Sequence, residues 1–580
     1  PPMILSLLFS ISLANPASNP LDSAAVAPSA TTIASHKANS SARTSQFDAA
    51  QRQLWQALSL WSLTHNAAGI VHDPLPLVAR GESGFSFGKT HSDLRTSQQG
   101  TNQQLGAFYA EQQLPIASWL VAQGRFTYGL SRYDQRAWND RSNATELSLL
   151  ATSFSPYNKG EIVHGVSNSP TTVGINTTFF PQSPLNAGSE QLGRYDGQTV
   201  DTEFRLATRS SKAWNFGLGV KYAVNDLARL KDPRSRARSL HYRLAPAVVY
   251  APRWGQIGAT LWYERRKEKI DNVTGVQQDA QWNYYTLHGL EHLSGGAGSY
   301  QGFMRQWVEH AGGGEINIGR EFQKAAILFS VRFQRSHEEA VGNNRYTPSE
   351  FEGQNLQISE FWKLRLGNWW LVDQNEVLWQ RGYTNEHTQS LTLTTDPQTK
   401  IVSRHYETLL SLQKRFQNSR FAAFTHFRAL HTTSPWEETS LTHQQLDGFY
   451  GWSLGYENFE QRYLLSASSR ETQRLLITLE GGKLLTKGWW TSAEVGASFA
   501  LRHQLHLAHP TSPLSPLWEA QQNIDARHIG RAALSARYDF PWQVRQQSVR
   551  LFARVTGEYA TAFGTSLHGT SVSFTLGLLH

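Results

Sequence analysis

Cysteine is absent from this chain. That excludes a disulfide framework and any thiolate metal site, and it suits a protein that crosses an oxidising compartment. Long apolar runs are missing as well. No stretch approaches the ~18 consecutive apolar residues that a membrane-crossing helix needs, and the mean hydropathy is −0.45, so a helical membrane protein is excluded. A β-barrel is not, because half of each of its strands faces a polar lumen. Nucleotide and protease signatures are also lacking. There is no Walker loop, no dinucleotide glycine pattern after a strand and no zinc-protease helix.

What is present is alternation. Trp214, Phe216, Leu218, Val220, Tyr222 and Val224 alternate with Asn215, Gly217, Gly219, Lys221 and Ala223. One face of such a strand is apolar and aromatic, and the other is small or polar. The pattern recurs in Leu120–Ser131, Val200–Arg209, Leu240–Tyr250, Ile327–Gln334, Tyr450–Glu457 and Leu551–Glu558. Marking each alternating run gives roughly 16 to 20 candidate strands. A soluble sheet also alternates, but its buried face is mainly aliphatic. Here aromatics make up 12% of the chain, with 19 Trp. Trp214, Tyr222, Trp369, Trp370, Trp489, Trp490 and Tyr559 fall near strand ends, as interfacial girdles do. The fold class expected is all-β, a transmembrane antiparallel β-barrel with a short N-terminal helical plug. The last run, Val572, Phe574, Leu576 and Leu578, is placed to close it.

The formal net charge is +8. Arg residues alternate along strands beside Asp and Glu rather than clustering on one arm, so no nucleic-acid partner is expected. The basic run 229–238, with Lys231, Arg234 and Arg236, reads as an exposed loop or turn. Residues 270–282 and 385–400 read as loops. Turn signals fall at Asn139-Asp140, Asn225-Asp226, Gly295-Gly296, Gly312–Gly314 and Asn343-Asn344.

The expected domains are a signal peptide over 1–17, a Ser/Ala/Pro-rich linker over 18–45, a hatch or plug over 46–75 and a barrel over 76–580. Met3–Ala14 supplies the apolar h-region, although a basic n-region is missing. Within the hatch, Phe47, Leu54, Leu58 and Trp61 share one face of a helix over 47–63. Asn66 and Gly69 follow it, and Gly69 is placed to end it.

The run Asn66-Ala67-Ala68-Gly69 after that helix resembles the start of the long-chain fatty-acid transporter barrels, with Ala67 in place of the family's proline. Length and loop style resemble uncharacterised outer-membrane barrels of Bacteroidota. The resemblance implies a barrel of about 14 strands, with about 16 as the alternative, and an N-terminal plug. It implies no substrate.

The search for chemistry yields little. His164 and Ser167 faintly resemble an outer-membrane phospholipase pair, but three residues apart they point to opposite faces of a strand. His503, His506 and His509 are also three apart. In a strand they cannot share an ion, and Pro510, Pro513 and Pro516 argue against a helix there. No catalytic residue, metal or cofactor is expected. Parity turns Arg125, Arg205, Arg209, Arg243, Arg332, Arg537, Arg554, Asp201, Glu203, Glu494 and Glu558 inward as lumen-lining candidates. Both signs occur on the same strands, which favours a paired network over a selectivity ring. The function expected is an outer-membrane transporter or channel for a small molecule, not an enzyme. The alternative is a plugged structural or docking subunit of an outer-membrane transport or secretion complex. The partners expected are outer-membrane lipid, lipopolysaccharide and other outer-membrane or surface lipoprotein subunits.

Overall fold

Period-two segments become strands of 12 to 19 residues, longer than the ~10 residues a tilted strand needs to cross a bilayer. The computed structural model describes residues 58–72, 80–94, 100–141, 183–209, 213–276, 282–297, 303–342, 347–399, 402–409, 414–432, 446–486, 488–544 and 547–579. The expected signal peptide and linker, Leu54, His164, Ser167, Asn343 and Asn344 lie outside them.

Among the described residues, 18 strands form one sheet. Each is antiparallel to the next in chain order along the wall, and the last, His568–Leu579, pairs with the first, Arg80–Ser92. The sheet therefore has no edge. The strand number departs from the expected 14 or 16. The period-two count lay nearer, and the fatty-acid-transporter likeness had pulled it down.

The two ends differ. At one rim the connections are tight, such as Ala117 to Leu120, Glu321 to Ala325 and Leu366 to Trp369. At the other, long excursions carry further structure. Asn186–Gly188, Asn283–Gly289 and His292–Ala297 form a small antiparallel sheet. Thr388–Thr395 pairs with Val402–Leu409, and Ser515–Asp525 is an α-helix.

Outward side chains form an apolar belt. Phe216, Leu244, Leu261, Ile316, Leu454, Leu479, Val495, Leu534 and Leu576 are all exposed. Trp119, Trp214, Trp254, Trp369 and Trp489 are exposed at the tight-turn rim, where indole rings suit a membrane–water interface. An exposed apolar surface this continuous is stable only against lipid.

Several sequence expectations fail locally. Trp370 and Trp490 are buried, because each directly follows an outward Trp and alternation turns it inward. Asn225-Asp226 lies inside strand Trp214–Arg229, and Gly312–Gly314 lies inside Phe303–Glu321. Gly295-Gly296 belongs to strand His292–Ala297. Neighbouring strands supply the ladder bonds that override these local turn preferences. The basic run 229–238 is no free loop. Arg229 ends one strand and is buried, and the next strand starts at Arg234. Residues 270–274 finish a strand, and much of 385–400 is the hairpin. The helix at 515–525 departs from the breaker reading of the prolines around it. Pro516 sits in its first turn, where the missing N–H costs nothing.

Candidate functional site

Residues 58–72 lie within the barrel against one arc of the inner wall. Only part of the expected helix over 47–63 falls in the described residues. There Leu58 is helical, but the helix does not run on to residue 63. Two 3-10 turns follow, Trp61–Leu63 and Ala67–His72. Leu60, Trp61, Ala67 and Ala68 pack against Ala247, Val249, Ala326, Leu328 and Phe361 of the wall. Leu58 is buried too.

Polar bonds fix the segment at each step. Trp61 Nε1 donates to Gln256 Oε1 at 3.0 Å. Lys363 Nζ donates to the Leu58 carbonyl at 3.0 Å, and Arg205 Nη1 to the Thr64 carbonyl at 3.3 Å. Asn66 Nδ2 donates to the Val248 carbonyl and to Asn317 Oδ1, both at 3.2 Å. The His65 backbone N–H donates to Glu315 Oε2 at 3.1 Å. Glu315 is itself held by Asn317, Ser330 and Arg332 at 2.7, 2.9 and 3.0 Å. One buried carboxylate thus joins the wall network to the segment's backbone.

Two glycines allow the close approach. A Cβ on Gly217 would stand 2.2 Å from the Ala68 backbone nitrogen, and one on Gly69 2.1 Å from the Trp61 ring. Gly69 therefore does not end a helix, as expected from sequence. It makes room for the indole to fold onto its own turn.

His72 closes the segment. Its ring pairs with Asn215 Nδ2 at 3.1 Å, and it lies near Trp61, with ring centroids 6.0 Å apart. Burial lowers its pKa to about 4. The seated state thus disfavours a proton that the released segment accepts near pH 6.5. Seating is unaffected above that pH, weakens as pH falls through 6.5, and levels off near 4. Solute leak through the wild-type barrel is expected to rise across that window. A His72→Gln barrel is expected to leak independently of pH there. Liposome uptake at stepped pH measures this, and an unchanged pH profile in His72→Gln would contradict it.

The inward charges pair around the lumen. Arg125 and Lys221 face Asp201 at 3.6 and 3.4 Å. Arg205 and Arg243 face Glu203 at 3.2 and 3.7 Å. Arg332 faces Glu315, and Arg537 bonds Glu82 and Asp539 at 3.1 and 2.8 Å. Glu494 meets Arg531 at 3.3 Å. Arg554 is half-buried and lies opposite Arg537 in register, and Glu558 is half-buried on the same strand. Arg209 is a correction. It is exposed one residue beyond strand Gly193–Thr208, where alternation has stopped, and its backbone N–H closes the turn onto Trp119.

The loop end holds a second network that sequence reading missed. Asn139-Asp140, read from sequence only as a turn signal, is buried. Asp140 accepts from Ser235 at 2.6 Å, Tyr284 at 2.9 Å and Arg229 at 3.4 Å. Burial and the Asp140 carboxylate push the Tyr284 hydroxyl well above its usual pKa. Arg141 bonds Glu268 and Glu338, each at 2.9 Å, and stacks on Trp307. Burial alone would lower its pKa, but the two carboxylates outweigh it and raise it. Arg141→Met is expected to destabilise the barrel by ~3–5 kcal/mol, since it strands two buried carboxylates. Urea unfolding in detergent micelles measures this, and a loss below about 1 kcal/mol would contradict it.

The model of a family of unknown function, DUF6850, matches residues 72–157 and 171–580. The chain belongs to the DUF6850 family. No curated protein matches this DUF6850 member. Among solved structures it is similar to the siderophore receptor PirA from Acinetobacter baumannii. The two share 10% identity and a TM-score of 0.35, over 86% of this chain and 80% of that one. It is also similar to the copper transporter OprC, with 8% identity and a TM-score of 0.33 over 87% and 81% of the two chains. Similarity to the FrpB iron transporter from Neisseria meningitidis runs at 8% identity and a TM-score of 0.37 over 89% and 83%.

Proposed function

We propose that this DUF6850 chain is an outer-membrane β-barrel that passes a small molecule through its lumen, with residues 58–72 as the gate, and that it is not an enzyme. The seating of that segment carries the reading. It lies on the inner wall without joining the sheet, held by apolar packing, by side-chain bonds around Glu315 and Asn66 and by the Gly217 contact. A segment held this way can leave without opening the barrel. The apolar belt and Trp rim support lipid outside. Short turns and both chain ends of the closed sheet share one rim, which suits the periplasmic side. The loop rim then faces lipopolysaccharide.

A Bacteroidota source belongs to this reading as a likeness of length and loop style. The likeness to fatty-acid transporter barrels rests on residues 66–69. The 18 strands and the packing role of Gly69 do not favour it.

One observation favours a second reading, a plugged docking subunit of an outer-membrane complex. The lumen charges largely compensate one another, and Arg141 ties the stretch at Leu185 to Glu268 and Glu338 of the wall. Reconstitution separates the two. Proteoliposomes carrying a barrel without residues 47–72 are expected to take up small solutes well above the wild-type rate. A deleted barrel that stays impermeable and co-purifies with a partner would favour the docking subunit.

A further inference from the structure

Among the described residues, three clusters of imidazole and carboxylate groups come close enough to share an ion: His91/Asp93/His568, His337/Glu339/Glu350 and Glu291/His292/His509. Only the last has a buried donor without a partner. Glu291 is 3% exposed, and its Oε2 is buried with no hydrogen bond among the described residues. Its other oxygen accepts from the Ser468 hydroxyl and from the His509 backbone N–H at 3.0 Å. An isolated buried carboxylate oxygen is costly unless a cation meets it.

We propose that Glu291, His292 and His509 bind one divalent transition-metal ion of the zinc class at the loop-end mouth. Their donor atoms lie within 4.8 Å of one another. Around a zinc ion, ligands ~2 Å from the metal stand about 3.3 Å apart, so the three need to close by at most about 1.5 Å. His509 can supply that movement, being exposed on the connection after strand Trp489–His506. Two imidazoles and one carboxylate suit zinc-class ions and not magnesium or calcium, which take oxygen ligands.

The outer shell is already built. His292 stacks on Tyr463 with ring centroids 3.3 Å apart, and Ser466 Oγ bonds its Nε2 at 2.8 Å. Such contacts orient metal-binding imidazoles. Ser512 Oγ donates to the Glu291 carbonyl at 2.6 Å, so the hairpin around residues 283–297 and the stretch before the helix already touch. The ion would tie them together. Sequence spacing pointed to His509 in the wrong company. Its partners come from 218 residues upstream, not from His503 and His506.

The test is calorimetric titration of Zn2+ into the purified full-length barrel after chelator treatment. One saturable site is expected, unaffected by excess Mg2+. Glu291→Gln and His509→Ala should each weaken it at least tenfold, while His91→Ala and His337→Ala leave it unchanged. Thermal melts without metal check that each variant folds. Glu291→Gln retains the side-chain shape, so it keeps the test valid if His509→Ala does not. No saturable site, a site lost in His91→Ala or His337→Ala instead, or equal affinity in folded Glu291→Gln would each overturn the proposal.

Discussion

Gly217→Leu is expected to unseat residues 58–72 while leaving the barrel closed. The atoms a new Cβ would meet are the Ala68 backbone nitrogen at 2.2 Å and the Ala67 carbonyl carbon at 2.7 Å. These are backbone atoms, so no flexible side chain can swing aside. Either the strand or the segment must move. Strand Trp214–Arg229 is laddered to a neighbour on each side along most of its length. The segment has side-chain bonds and apolar packing but no ladder of backbone bonds to the wall, so it should yield. Overpacking of this kind costs about 1–3 kcal/mol in a packed core, and complete unseating also forfeits the burial of Trp61. Amide exchange over 58–72 should therefore quicken by roughly 100-fold or more, with the strands unchanged. Unchanged protection over 58–72 would show that the segment is not seated on Gly217.

The second large effect concerns the outer face. Leu261 is 68% exposed in strand Gln256–Thr274. It lies five residues past the start of that strand at the tight-turn rim, a depth near the bilayer centre at ~3.3 Å per residue and a tilt of ~40°. Leu261→Arg is expected to cost ~2–4 kcal/mol. Lys221→Ala on the inner wall should cost at most about 1 kcal/mol, because Arg125 still faces Asp201. Reversible unfolding of the folded barrels in lipid vesicles gives both values. Equal costs would mean the two faces have been exchanged.

The period-two pattern made the wall legible, because a barrel strand records lipid and lumen on alternate residues. Trp214 to Val224 is read correctly from sequence alone, down to Lys221 facing inward. The same alternation puts Arg205 with Glu203, and Arg125 with Asp201, on one face, where they pair. Pattern reading failed where alternation ends or where glycines interrupt it. Arg209 was placed inward by extending a strand one residue too far. Glu315 and Asn317, which hold the segment, were hidden behind Gly312–Gly314, three glycines that read as a turn. Asp140 and Arg141 are loop residues whose roles depend on partners up to about two hundred positions away, and no local signal marks that. Strand number follows from how many hairpins close a circle, a property of the whole wall that no single run displays.

The most direct measurement of the central claim, lipid outside and a seated segment inside, is a spin-label scan along strand Trp214–Arg229. The chain has no cysteine, so each single-cysteine variant carries one label. In proteoliposomes, labels at 216, 218, 220 and 222 are expected to be accessible to oxygen and shielded from a water-soluble nickel chelate. Labels at 215, 219 and 221 are expected to be shielded from oxygen, and label 215, beside His72, to be immobilised until residues 47–72 are deleted. Loss of the two-residue period, chelate access to both faces, or a label at 215 that is equally mobile with and without residues 47–72 would contradict it.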